Sequence, residues 1–109
     1  MVNNDQIIIK FNSEYLELLA KDEKIKGKPR YDTEVLLKYR KTLKILEVMP
    51  STVGLRNLRS LNFEALKGEY KGLYSVRVDY RYRLIFTIEK DLITITEIIV
   101  IEDLNNHYE

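Results

Sequence analysis

With 109 residues, 45% of them hydrophobic and 32% charged, and a formal net charge of +1, the chain suits one compact domain over 1–109 with a modest core. The absence of cysteine excludes a disulfide framework, thiolate catalysis and a thiolate metal site. Met1 to Gln6 is polar and unlike a secretory signal, and the longest apolar run, Ile98 to Ile101, is far short of the roughly 20 residues a membrane-spanning helix requires, so a soluble, cytoplasmic protein is expected.

Gln6 to Phe11 opens on Ile7, Ile8 and Ile9, a β-branched run that reads as a short buried strand. Asn12 or Ser13 can cap a following short helix, with Glu14 and Glu17 in its first turn and Tyr15, Leu16, Leu18 and Leu19 on its apolar side. Asp22 to Asp32, with Gly27 and Pro29 among lysines, reads as a basic connecting loop. Thr33 to Met49 is the clearest helix: Leu36, Tyr39, Leu43 and Leu46 recur at spacings of three and four, Lys38, Lys41 and Lys44 lie off that stripe, Asp32 or Thr33 begins it and Pro50 ends it. Ser51 to Ser60 is irregular.

Three strands are predicted after it, Leu73 to Asp79, Tyr82 to Glu89 and Leu92 to Glu102, the last two joined by a turn at Glu89-Lys90-Asp91. Tyr74, Val76 and Val78 alternate with polar residues, as do Tyr82, Leu84, Phe86 and Ile88 with the residues between them. Bringing the two apolar faces together sets Val78 opposite Tyr82 across a three-residue loop and Arg77 opposite Arg83. Like charges facing each other are unfavourable in a purely structural sheet, and a bound phosphate would relieve them. The plainer reading pairs these arginines with Glu64, Glu97 or Asp79. The order of elements, a strand and two helices followed by a meander, indicates an α+β fold in which the strand and helices pack on a mainly antiparallel, twisted sheet.

Charge is unevenly spread along this order. Arg56 to Arg83 carries seven basic residues (Arg56, Arg59, Lys67, Lys71, Arg77, Arg81, Arg83) against Glu64, Glu69 and Asp79, a net of +4; Leu84 to Glu109 carries Lys90 against six acids, a net of −5. A basic segment can meet phosphates, whereas the acidic end repels them unless it folds away.

Phe63-Glu64-Ala65-Leu66-Lys67-Gly68-Glu69, then Gly72-Leu73-Tyr74-Ser75-Val76-Arg77-Val78, then Tyr82-Arg83-Leu84-Ile85-Phe86 resembles the RelE/ParE toxins, whose pattern there is Leu-Glu-x-Leu-Lys-Gly-Asp, Gly-x-Tyr/Trp-Ser and an arginine-bearing strand pair. Asn106-His107-Tyr108-Glu109 resembles the His-Tyr ending of the YoeB branch and, less closely, the ending of the HigB branch. The departure is Glu102 to Asn106, acidic and read as looped where basic or aromatic residues are usual. The resemblance implies the RelE-like fold and a toxin that cleaves messenger RNA in the ribosomal A site. It also implies that the toxin needs no metal or other cofactor and is silenced by a cognate antitoxin.

Position by position, the resemblance assigns Glu64 as general base, Arg83 as the phosphate-binding arginine, and His107 with Tyr108 as the C-terminal acid and its neighbour. Lys67 and Arg77 match positions that contact RNA, and Lys71 and Arg81 extend the same basic segment. The assignment suits the chemistry: a base takes the 2′-hydroxyl proton, cations steady the phosphorane, and an acid protonates the leaving 5′ oxygen. A carboxylate is a weak base for a hydroxyl, so alignment must supply much of the rate. The planar fork of arginine suits non-bridging oxygens better than lysine does. His107, the only histidine, titrates naturally near neutrality. Tyr108 is suited to stack on a base or orient the phosphate. Plainer roles compete: Glu64 capping a turn or pairing with Lys67, Arg83 in a surface ion pair, His107 in a solvated tail. Tyr15, Tyr39, Tyr74 and Tyr82 fall on apolar stripes and read as core, leaving Tyr70, Tyr80 and Tyr108 as RNA contacts. Two other functions share the pattern, a ParE-like toxin that binds DNA gyrase and a non-catalytic binding module.

Overall fold

The computed structural model describes residues 7–21 and 29–106. Most of the predicted basic loop, Asp22 to Lys28, lies outside the described residues. Strand β1 (Ile8–Phe11) leads into helix α1 (Glu14–Ala20), where the Ser13 hydroxyl accepts the Leu16 N–H at 3.1 Å. Seven residues make a marginal helix by themselves. Helix α2 (Thr33–Glu47) holds it in place: the Tyr39 hydroxyl donates to the Leu16 carbonyl at 2.8 Å, and Arg40 Nε donates at 2.7 Å to the Leu19 carbonyl, one of those in the last turn that a helix leaves open. Asp32 caps α2 by accepting the Val35 N–H at 2.9 Å, and the predicted stripe of Leu36, Tyr39, Leu43 and Leu46 is buried.

Strands β2 (Glu64–Ala65), β3 (Tyr74–Arg77), β4 (Arg83–Lys90) and β5 (Glu97–Asn105) complete a five-stranded sheet of order β1-β5-β4-β3-β2. Among the described residues, only the β1–β5 pair is parallel. The α+β expectation holds, and so does the inferred hairpin register, with Arg77 opposite Arg83 and the Val78 N–H donating to the Tyr82 carbonyl at 2.9 Å. On the face toward the helices, Val76, Leu84, Phe86, Ile99, Ile101 and Leu104 join the α1 and α2 stripes in one core. Tyr39 lies fully within it, and Tyr15, Tyr74 and Tyr82 pack against it, as their positions on apolar stripes predicted.

Several expectations are corrected. First, β1 is an edge strand among the described residues and is only partly buried: Ile7 is buried, but Ile8 is 46% exposed. Secondly, β2 has only two residues, too few for any periodic signal, and forms because it pairs with β3. Thirdly, the last strand runs from Glu97 to Asn105 and does not start at Leu92. Asp91 folds the preceding residues into a loop, its Oδ1 accepting the N–H groups of Ile93 and Thr94 at 2.8 and 3.0 Å while its own N–H donates to the Thr96 carbonyl at 2.8 Å. At the far end the register between β4 and β5 slips, with Ile85 opposite Asp103 and Phe86 opposite Ile101. Glu102 is therefore the extra residue of a β-bulge, and the inward positions pass from Ile99 and Ile101 to Leu104. The acidic stretch read as a loop is strand through Asn105.

Ile95 sits in that hairpin loop at φ 61°, left-handed backbone that β-branched residues disfavour, and its side chain is 61% exposed. Ile95→Gly removes the strain while giving up little packing. The expected gain, about 1 kcal/mol after glycine's larger unfolded-state entropy, is measurable by urea denaturation.

Candidate active site

Side chains alternate along a strand, so with Leu84 and Phe86 in the core, Arg83 and Ile85 lie on the opposite face of the sheet. The registers lay two rows across that face, Glu64-Ser75-Ile85-Asp103 and Arg77-Arg83-Asn105. Strand pairing thus sets three of the predicted residues, Glu64, Arg77 and Arg83, side by side although up to 19 positions separate them.

The Arg83 side chain folds across Ser75 toward Glu64. Its Nη2 stands 3.1 Å from Glu64 Oε2 and donates to the Asn62 carbonyl, while Nε donates to the Ser75 hydroxyl at 2.8 Å. Asn62 ends the 3-10 turn Arg59–Leu61 at φ 44°, a left-handed conformation that asparagine tolerates better than most residues. None of these contacts uses Nη1. The Arg83 side chain is only 13% exposed against 47% for that of Glu64. Burial pulls the Arg83 pKa below its ordinary value, Glu64 opposes the shift, and Arg77 across the strand pair adds to it. Arginine stays cationic at neutral pH regardless, so the fold holds a poorly hydrated cation beside a carboxylate.

A cleft of about 300 Å³ opens over this pair, lined also by Arg77, Asp79, Tyr80, Arg81 and Asn106. Arg77 is exposed and, among the described residues, forms no ion pair. Arg81 is more constrained: it stands 3.5 Å from Asp32 and 4.0 Å from Asp79. Lys67 and Lys71 are exposed on either side of the 3-10 turn Gly68–Tyr70 and do not line the cleft. His107 and Tyr108 lie outside the described residues, which end on the cleft at Asn106.

Of the plainer pairings, one forms: Arg83 with Glu64, which takes Glu64 away from Lys67. Asp79 mainly fastens its own turn, accepting the N–H groups of Arg81 and Tyr82 at 2.8 and 2.7 Å. Glu97 accepts from the N–H and hydroxyl of Thr52, away from the cleft. The acidic end is engaged as well, since Glu102 accepts from Asn12 Nδ2 and Asp103 from Asn105 Nδ2, both at 3.0 Å. Sequence reasoning missed Ser75 and Asn62, the two groups that steer Arg83. Ser75 left a weak signal as a small polar residue two positions before Arg77 on the same face; a carbonyl such as that of Asn62 leaves none.

Residues 9–99 match the HigB-like toxins, RelE-like toxins of type II toxin-antitoxin systems. The chain belongs to this family. The matched span includes Glu64, Arg77 and Arg83 and stops before Asn106. Solved structures share the fold of this HigB-like toxin across 94% of its length: a YoeB/ParE toxin from Agrobacterium tumefaciens (TM-score 0.51, 13% identity, 99% of that chain), a chain of the YoeB-YefM complex from Staphylococcus aureus (0.51, 20%, 99%), and a mutant of YafQ from E. coli (0.50, 20%, 94%). No curated protein matches the toxin's sequence. Among the described residues no helix is long and apolar enough to cross a membrane, and no three His, Cys, Asp or Glu side chains gather as metal ligands would.

Proposed function

We propose that this HigB-like toxin is an endoribonuclease that cuts messenger RNA in the ribosomal A site without a metal ion, acts in the cytoplasm, and is restrained by a cognate antitoxin. The observation that carries the reading is the Glu64–Arg83 pair, a carboxylate 3.1 Å from a largely desolvated guanidinium on an open sheet face that also presents Arg77. In the free protein Glu64 balances Arg83. A scissile phosphate brings two oxygens to the guanidinium, competes with Glu64 for it, and leaves the carboxylate to accept the 2′-hydroxyl proton. The O2′–P bond then forms as the P–O5′ bond breaks, Arg83 and Arg77 steady the charge on the phosphorane, and His107, carried just beyond Asn106, protonates the departing O5′. Tyr108 orients the phosphate. A 2′,3′-cyclic phosphate and a 5′-hydroxyl are the products. Arg81 and, further out, Lys67 and Lys71 hold neighbouring phosphates.

The antitoxin rests on membership of a type II toxin-antitoxin family and on the S. aureus neighbour, which was solved as the YoeB-YefM complex. In a purified translation system the toxin is expected to stop protein synthesis and sever the message, leaving supercoiling by DNA gyrase unchanged. An intact message with inhibited gyrase would instead make it a ParE-like gyrase toxin.

A further inference from the structure

The hairpin between β3 and β4 displays a tyrosine for which the fold has no use. Tyr80 is 84% exposed, so its ring buries little of the apolar area that usually accounts for an aromatic residue in a small domain. The backbone beneath it is nonetheless fixed. The N–H groups of Val78 and Asp79 both donate to the Tyr82 carbonyl, at 2.9 and 3.3 Å, and the nearly buried Asp79 carboxylate accepts from Arg81 and Tyr82. The Arg81 side chain ties the hairpin tip to Asp32 at the start of α2, and its guanidinium carbon stands over the Tyr80 ring 5.2 Å from the centroid. One ring face therefore meets a cation and, at this exposure, the other is open. The ring also lines the same cleft as Glu64, Arg77 and Arg83.

We propose that Tyr80 is a base-stacking platform, receiving a nucleobase of single-stranded RNA next to the phosphate held by Arg83 and Arg77. The inference rests on reading the cleft as an RNA site. Cations that follow a phosphate backbone, combined with an aromatic face that takes a base, are the two elements of single-strand binding, and a ring on a fixed turn loses little freedom when a base covers it. Stacking accepts any base, so Tyr80 contributes affinity and positioning and little sequence choice.

The test compares cleavage by wild type, Tyr80→Ala and Tyr80→Phe on ribosomes programmed with a defined message, alongside thermal unfolding of each protein. Tyr80→Ala is expected to lower kcat/KM about tenfold or more, mainly through KM, with unfolding unchanged, and Tyr80→Phe, which keeps the ring, to rescue the loss. Since the chain contains no tryptophan, Tyr80→Trp adds a single fluorophore, expected to be quenched by a short 2′-O-methyl RNA that cannot be cleaved. Wild-type kcat/KM in Tyr80→Ala would overturn the proposal, including the case where only antitoxin affinity falls. If the wild type cleaves nothing, the nuclease reading fails by itself. The fluorescence then decides alone: quenching upholds the stacking site and its absence overturns it.

Discussion

Arg83→Ala is expected to slow message cleavage by about a hundred- to a thousandfold, the range seen when one preorganised donor to a transition-state oxyanion is removed. The size follows from burial. An arginine whose side chain is 13% exposed and whose guanidinium is steered by Ser75 and Asn62 is partly desolvated and already aimed, so its field at the phosphorane is strengthened and little reorganisation accompanies the reaction. Arg83→Lys should recover only a small part of the rate, because one ammonium cannot keep the Ser75 and Asn62 contacts and also offer a planar fork to two oxygens. Single-turnover rates on programmed ribosomes measure both. Loss of Arg83 also leaves the buried Ser75 hydroxyl without its donor, so a modest fall in stability, about 1–3 kcal/mol, should accompany the alanine variant. A variant that folds and cuts at the wild-type rate would reduce Arg83 to a structural ion pair.

Phe86→Ala is expected to remove about 3–5 kcal/mol of stability, a large part of the roughly 5–15 kcal/mol typical of a small domain. Phe86 is fully buried in the central strand β4, its ring centroid 6.2 Å from that of Tyr74 and 6.4 Å from that of Phe63, and Phe63 and Tyr74 stack at 5.6 Å. Arg56 covers the outer side of this cluster, 4.9 Å from the Phe63 centroid. The same rings lie under the pairing of β2 with β3, and Phe63 directly precedes Glu64, so a cavity here weakens the support of the carboxylate as well as the core. The midpoint in urea should fall sharply, and activity at temperatures where the variant stays folded should fall more than that of a substitution elsewhere in the core, such as Leu46→Ala. Equal losses of activity would mean that β2 is held in place without the aromatic cluster.

Both expectations depend on how far the fold and the site are encoded locally. Helix α2 and the β3–β4 hairpin were legible because each follows one unbroken period: Leu36, Tyr39, Leu43 and Leu46 on a helical stripe, Val76 and Val78 against Tyr82 and Leu84 on strands. The facing of Arg77 and Arg83 follows from that period alone, independently of any family pattern. Strand β5 was misjudged at both ends for physical reasons. Leu92 and Ile93 are apolar and β-branched or large, as strand residues are, yet Asp91 draws their backbone into a loop, and at Glu102 the bulge shifts the inward positions by one so that the alternation fails. β2 is two residues long and exists only through its partner, which no local pattern reveals. Pairing of Glu64 with Arg83 was one of several that the charges allowed, and the family pattern placed both residues in the site, whereas the groups that aim the arginine, a buried serine hydroxyl and a backbone carbonyl, depend on a three-dimensional fit among three segments.

The position of the cut in the message tests the proposed chemistry most directly. Primer extension on a reporter messenger RNA in a purified translation system, with wild type, Glu64→Gln and His107→Ala compared, should show 3′ ends within A-site codons for the wild type, greatly weakened in both variants and absent when ribosomes are left out. An uncut message, or cuts that persist unchanged in Glu64→Gln and His107→Ala, would contradict it.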